Sequence, residues 1–141
     1  MTNEAVLRDT KIITSKRFTC ATSTGIAKNA LLAISADNTA ILASSTGQIW
    51  AGVAHADVNK STDTSFNTET DVTADKGAIY DMVASGSITR GSLVSLACSS
   101  GYSNTIKQAT AAEVASTLRV IVGMALEEAT DAETINVEVF P

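Results

Sequence analysis

The hydrophobic pattern is sharpest between Val120 and Phe140, VIVGMALEEATDAETINVEVF. An apolar run, Val120-Ile121-Val122, turns on Gly123 and continues as Met124-Ala125-Leu126. A polar hinge from Glu127 to Thr134 follows, and then Ile135, Val137 and Val139 alternate with Asn136, Glu138 and Phe140. Fully buried strands read as apolar runs and half-buried strands as period-two alternation. The stretch therefore predicts a buried strand, a kink, a turn and a half-buried strand. A weaker copy runs from Ile49 to Asp57, with Ile79 to Val83 further on.

The remaining elements follow from the same reading. Residues 1–20 read as an extended N-terminal arm, within which Lys11 to Cys20 is β-prone and a candidate first strand. Thr22 to Gly25, Ala36 to Thr39 and Ser85 to Ser87 carry turn residues. Ala40 to Ala43 reads as a short strand or a single helical turn, and Leu93 to Leu96 and Thr105 to Gln108 as short strands. Asp57 to Asp75 is polar and Thr-rich, a long loop in which Phe66 is the anchor to the domain's own core. Thr110 followed three residues on by Glu113 is a capping-box spacing. It predicts the one helix, Ala111 to Thr117, with Ala112, Ala115 and Leu118 on a common face.

Two halves share this pattern. Ile26 to Ile34 matches Ile88 to Leu96 without a gap, Gly52 to Asp57 matches Gly123 to Glu128, and Asp75 to Val83 matches Asp131 to Val139. In each, a turn (Lys28-Asn29 or Arg90-Gly91) launches a strand, a glycine bends the next one, and a polar turn leads to a closing strand. The expected fold is mainly β: a small β-barrel of two repeated β-units, residues 24–84 and 86–141, with few free edges. Residues 21–141 form a single β-rich domain behind the arm, in keeping with the 141-residue length.

Composition adds three constraints. Aromatics are 4% of the chain and charged residues 18%, so the core rests on Ala, Val, Ile and Leu, and the surface is weakly charged. Residues 1–20 carry Arg8, Lys11, Lys16 and Arg17 against Glu4 and Asp9, a net +2. The rest of the −5 total is then −7. A basic arm on an acidic body points to an acidic partner for the arm, or to charges facing water, and an acidic body argues against nucleic acid. Cys20 and Cys98 lack CxxC spacing and read as small buried apolar groups in a reducing compartment. No apolar run approaches a membrane span, and no secretory signal is read.

A search for chemistry yields no catalytic site and no cofactor or metal site. His55 is the only histidine and has no ligand cluster at metal spacing. No GxSxG, GxxxxGK[ST] or GxGxxG is present. Glu127, Glu128, Asp131 and Glu133 lack the ladder of a calcium loop and read as a solvated hinge. Trp50 reads as a plug of the barrel or of a seam between subunits, its indole N–H bonded to His55 or a turn carbonyl.

Gly91 to Leu96, Ile106 to Thr110, Ile121 to Ala129 and Glu133 to Val139 together resemble the capsid decoration, or cement, proteins of tailed phages. Their run is a G-D-x-V strand, a V-x-x-A-t strand, x-x-G-x-A-x-x-d-A and a closing v-x-V. The resemblance covers the C-terminal half, and the N-terminal half only through the repeat; the insertion at Ala111 to Arg119 and the Asp57 to Asp75 loop depart from it. It implies a β-tulip-like domain, made in the host cytoplasm and carried on the capsid exterior of the virion. A homotrimer would bind the major capsid protein of the mature shell and brace it against internal DNA pressure, without an active site. Arg8, Lys11, Lys16 and Arg17 are the candidate capsid contacts, and truncation before Cys20 is expected to spare the fold and abolish attachment. Two other readings stand beside this one. A head-fibre or carbohydrate- or receptor-binding β module would use Tyr102 and Phe66. A small β-clip enzyme or ligand-binding domain would need polar groups converging on His55.

Overall fold

The structure, a computed structural model, describes residues 5–21, 25–58, 70–98, 104–116 and 118–141. Phe66, Tyr102, Thr117 and residues 22–24 lie outside the described residues, as do the side chains of Arg8, Lys11 and Leu118. The fold is mainly β, as the period-two pattern predicts. Nine strands run in chain order: β1 Val6–Cys20, β2 Leu31–Ala36, β3 Thr39–Leu42, β4 Ile49–Ala54, β5 Asp71–Ala84, β6 Leu93–Leu96, β7 Thr105–Gln108, β8 Ile121–Ala125 and β9 Thr134–Val139. The one α-helix, α1, spans Ala111–Ser116, followed by a turn of 3-10 helix at Leu118–Val120.

The strands form two partial rings that share β5, not one clear barrel. In the first, β1 pairs in parallel with β3 through Thr19 and Cys20, β3 with β2, and β2 with β4. β4 then meets the start of β5 at Ala74 and Asp75, and β5 returns along β1 from Asp71 to Asp81. In the second ring, Val83 and Ala84 of β5 pair in parallel with β7, β7 with β6, β6 with β8, β8 with β9, and β9 returns to β5. The order of partners is the same, with β2, β3 and β4 answering to β6, β7 and β8.

The repeat extends to single hydrogen bonds. Ile26 bridges Val58 as Ile88 bridges Ala129. The backbone N–H of Asn29 donates to Ala54 and that of Gly91 to Ala125, at 2.9 and 2.8 Å. Asn29 and Gly91 both take a left-handed conformation, φ 69° and 84°, which asparagine and glycine adopt at least cost. This is the turn expected at Lys28-Asn29 and Arg90-Gly91. Each repeat also carries a bulge at the same place: Leu32 and Ala33 oppose Gly52 and Trp50, and Val94 and Ser95 oppose Gly123 and Ile121. Ala51 and Val122 are the extra residues, and the extra residue bends the strand across its neighbours. The glycines beside them are needed for space. A Cβ on Gly123 would stand 2.0 Å from the Glu138 carbonyl oxygen, and one on Gly52 2.9 Å from that of Asp75.

Two expectations change. The matched closing strand of the first repeat is not Asp75 to Val83. His55 N–H donates to Thr73 where Leu126 N–H donates to Asn136, so Asp71 to Asp75 is the counterpart of Thr134 to Glu138. The C-terminal half of β5 opens the second repeat, pairing with β7 through Val83 and Ala84 as β1 pairs with β3 through Thr19 and Cys20. Residues 6–20, expected as an arm, are a stave of the first ring. Phe18 and Cys20 are buried in its core, so truncation before Cys20 removes part of that core.

Two apolar clusters result. The first ring holds Phe18, Leu32, Leu42 and Val72 among alanines at 30, 40, 51, 54 and 74. The second cluster holds Met82, Val94, Ile106, Val122, Ile135 and Val137, and extends to Leu31, Ala33, Trp50 and Val53 of the first repeat. Trp50 therefore sits at the seam between the repeats of one chain. Asn104, 1% exposed, crosses the seam by accepting the Leu31 N–H at 3.0 Å. Both cysteines are free and buried.

Candidate functional site

The basic residues of β1 occupy different settings. Lys16 and Arg17 are exposed on the strand. Arg17 Nε donates to the Asp71 carboxylate on β5 at 2.8 Å, so its charge is already answered within the chain. The Lys16 ammonium lies 5.3 Å from the centre of the Phe18 ring, within cation–π range.

The structure gathers polar groups around His55 that the sequence does not show. β4 ends at Ala54, and the backbone bond from His55 N–H to Thr73 holds the imidazole beside β5. His55 Nδ1 lies 2.6 Å from one oxygen of the Asp75 carboxylate, and Ser15 Oγ donates to the other at 2.5 Å. The sequence expectation paired His55 with Trp50. In the structure its partner is Asp75, and the Trp50 indole N–H has no acceptor among the described residues, at a cost of about 1–3 kcal/mol for a buried donor. Asp75 is 6% exposed, while the His55 side chain is 64% exposed. His55 and Asp75 line a cavity of about 320 Å³ with Lys28, Asn29 and Tyr80. Burial, reinforced by the nearby Asp75 charge, pushes the Tyr80 phenol up to about 12.

The arrangement determines what it can do. Asp75 stands between Ser15 and His55, so the hydroxyl donates to a carboxylate and does not meet the imidazole. A nucleophilic serine needs the imidazole next to it. The carboxylate instead ties three strands together, β1 through Ser15, β4 through the residue that follows it, and β5. In the second repeat the same positions hold Ile79, Leu126 and Glu138, as the shared register requires. The cluster belongs to the first repeat alone. The residues lie sixty and twenty positions apart in sequence, and no local pattern marks the cluster: Asp75 falls on a polar position of the Asp71 to Asp75 alternation, and its burial appears only in the fold. Among the described residues no group of three or more His, Cys, Asp or Glu is placed to hold a metal ion, and no helix is long and apolar enough to cross a membrane.

The capping box at α1 is formed as expected. Thr110 N–H donates to Glu113 Oε1 at 2.9 Å, and Glu113 N–H to Thr110 Oγ1 at 3.1 Å. Lys107 Nζ donates to the same carboxylate at 2.6 Å. Burial alone would raise the Glu113 carboxyl. The hydrogen bonds from Lys107 and Thr110 and the Lys107 charge outweigh it, and the net shift is below the usual range. Ala112 and Ala115 are exposed.

No family model and no curated protein matches the chain. Among solved structures the chain is similar to the N base of the head fiber protein gp8.5 of bacteriophage phi29, at 16% identity and a TM-score of 0.51. The match covers 91% of this chain and 94% of that one, so the likeness is one of whole fold.

Proposed function

We propose that this chain is a structural protein of a phage head, seated on the outer surface of the shell. The observation that carries the reading is the fold it shares, end to end, with the base of a phage head fiber. The resemblance of Gly91 to Leu96, Ile106 to Thr110, Ile121 to Ala129 and Glu133 to Val139 to capsid decoration proteins supports the same reading. In the finer reading the chain binds the major capsid protein as a homotrimer and stabilises the mature shell. Three copies acting together convert modest single contacts into tight attachment. Each bound trimer adds a bridge that has to break before the shell ruptures. A non-catalytic role agrees with the Ser15–Asp75–His55 order, which leaves the hydroxyl without an adjacent imidazole. The fiber-base likeness favours one alternative, a chain that anchors a head fiber.

The test uses shells of the source phage prepared without this chain. Adding the purified chain is expected to give saturable binding in multiples of three and to raise the temperature at which packaged DNA is released. Binding without stabilisation would favour the fiber-base alternative. No binding to shells would overturn both.

A further inference from the structure

On one side of the molecule β4 and β8 come together at the seam between the repeats. A cavity of about 420 Å³ lies there, walled by Ile49, Trp50, Ile121 and Phe140 and flanked by Lys76 and Arg119. It continues past Ile49 and Lys76 into a second cavity of about 500 Å³ that reaches Lys16. Together they make one groove with apolar walls. Its charged side chains are three cations and a single acid, Asp37, and Pro141 also lines it, on a chain whose net charge is −5.

Lys76 and Arg119 have no carboxylate partner among the described residues. Burial pulls the Lys76 ammonium below its ordinary pKa, as happens when a cation loses water without gaining an acid. Two cations without a paired acid beside an apolar floor define the missing group.

We propose that the groove receives an extended segment of the shell subunit that carries a carboxylate flanked by apolar side chains, an inference that rests on the head-surface reading above. The carboxylate sits between Lys76 and Arg119. Its apolar neighbours cover Ile49, Trp50 and Ile121. A second copy of this chain is a poorer occupant. In its acidic hinge, Glu127, Asp131 and Glu133 already accept the backbone N–H groups of Asn136, Gly86 and Thr130. Docking them elsewhere would undo that hinge.

The experiment is co-sedimentation of the full chain with shells prepared without it. The groove variants are the double change Lys76→Met with Arg119→Met and, separately, Phe140→Glu, a change at a side chain that is 38% exposed and so compatible with folding. The control, Lys28→Met with Arg90→Met, removes the same charge at the exposed turns of the two repeats. Circular dichroism checks that each variant folds. The wild type and control are expected to bind alike, and the groove variants at least about tenfold more weakly. Groove variants that bind like wild type would overturn the groove and leave the head-surface reading intact. Failure of the wild type to bind overturns that reading and the groove with it. If the groove variants instead reduce the mass of the free chain in solution, the groove is a contact between copies and the proposal fails.

Discussion

Phe18, Ala40, Ala51 and Ala74 in the first repeat stand where the second has Met82, Ile106, Val122 and Val137. At these positions the first core has one large ring and three alanines, and the second has four medium side chains. The backbone devices hardly differ. Both repeats have a left-handed turn residue, a bulge opposite the second strand, a glycine beside the bulge and an isolated bridge. The comparison separates what the fold requires from what it tolerates. The path of the chain depends on a few positions where backbone approaches backbone. The core depends on total volume, which different side chains supply equally well.

The two glycines should give the largest effects. Gly123→Ala drives a Cβ into the Glu138 carbonyl at 2.0 Å, contact with backbone that no rotamer relieves. A loss of about 4 kcal/mol or more is expected in denaturant unfolding. Gly52→Ala meets the Asp75 carbonyl at 2.9 Å and a φ of 134°, and should cost about 3 kcal/mol. Equal and small losses would mean that the bulges are not what sets the strand path.

The cores come next. Phe18→Ala should cost about 4 kcal/mol and Met82→Ala about 3 kcal/mol, since the alanines around Phe18 cannot close over the space it leaves. A reversed order, read from unfolding midpoints at constant slope, would contradict this account of the two cores.

Asp75 tests the feature found in one repeat alone. Asp75→Ala leaves Ser15 Oγ and His55 Nδ1 without their shared partner and should cost about 2 kcal/mol. In an alkaline titration followed by tyrosinate absorbance, the same change should bring the Tyr80 phenol down from about 12. It should still stay above the ordinary tyrosine value, because burial is the larger cause. The raised value also fixes a sign. The neutral phenol's contribution is complete below the ordinary tyrosine pKa and is lost as pH rises through the folded one.

The smallest effect belongs to the second repeat. Glu113→Gln weakens the capping box and the Lys107 bond and should cost about 1 kcal/mol at neutral pH. Since the folded carboxyl is held below its usual value, that contribution is present above the ordinary glutamate pKa. It fades as pH falls through the lowered one. Unfolding curves of wild type and Glu113→Gln should therefore converge in acid; a constant gap would contradict the assignment.

Much of this plan was legible before the structure. Period-two alternation marked β9, the apolar run marked β8, Thr110 and Glu113 marked the helix, and Asn29 and Gly91 marked the launching turns. These are local signals, carried by neighbours in sequence. What escaped the reading is non-local. β1 looked like an arm because its alternation is diluted by charge, and its role depends on pairing with β5 more than fifty residues on. β5 looked like one closing strand, since alternation cannot show where a strand passes from one ring to the other. Ser15, His55 and Asp75 meet only because β1, β4 and β5 lie side by side. Trp50 was read correctly as a plug, but of a seam inside the chain.

The central claim, that the chain is seated on the outside of a phage head, is tested most directly by its copy number relative to the major capsid protein in purified particles of its source. The account predicts a fixed ratio, near one per capsid subunit or a set fraction of it, with a copy number per particle divisible by three. Absence from particles would contradict it.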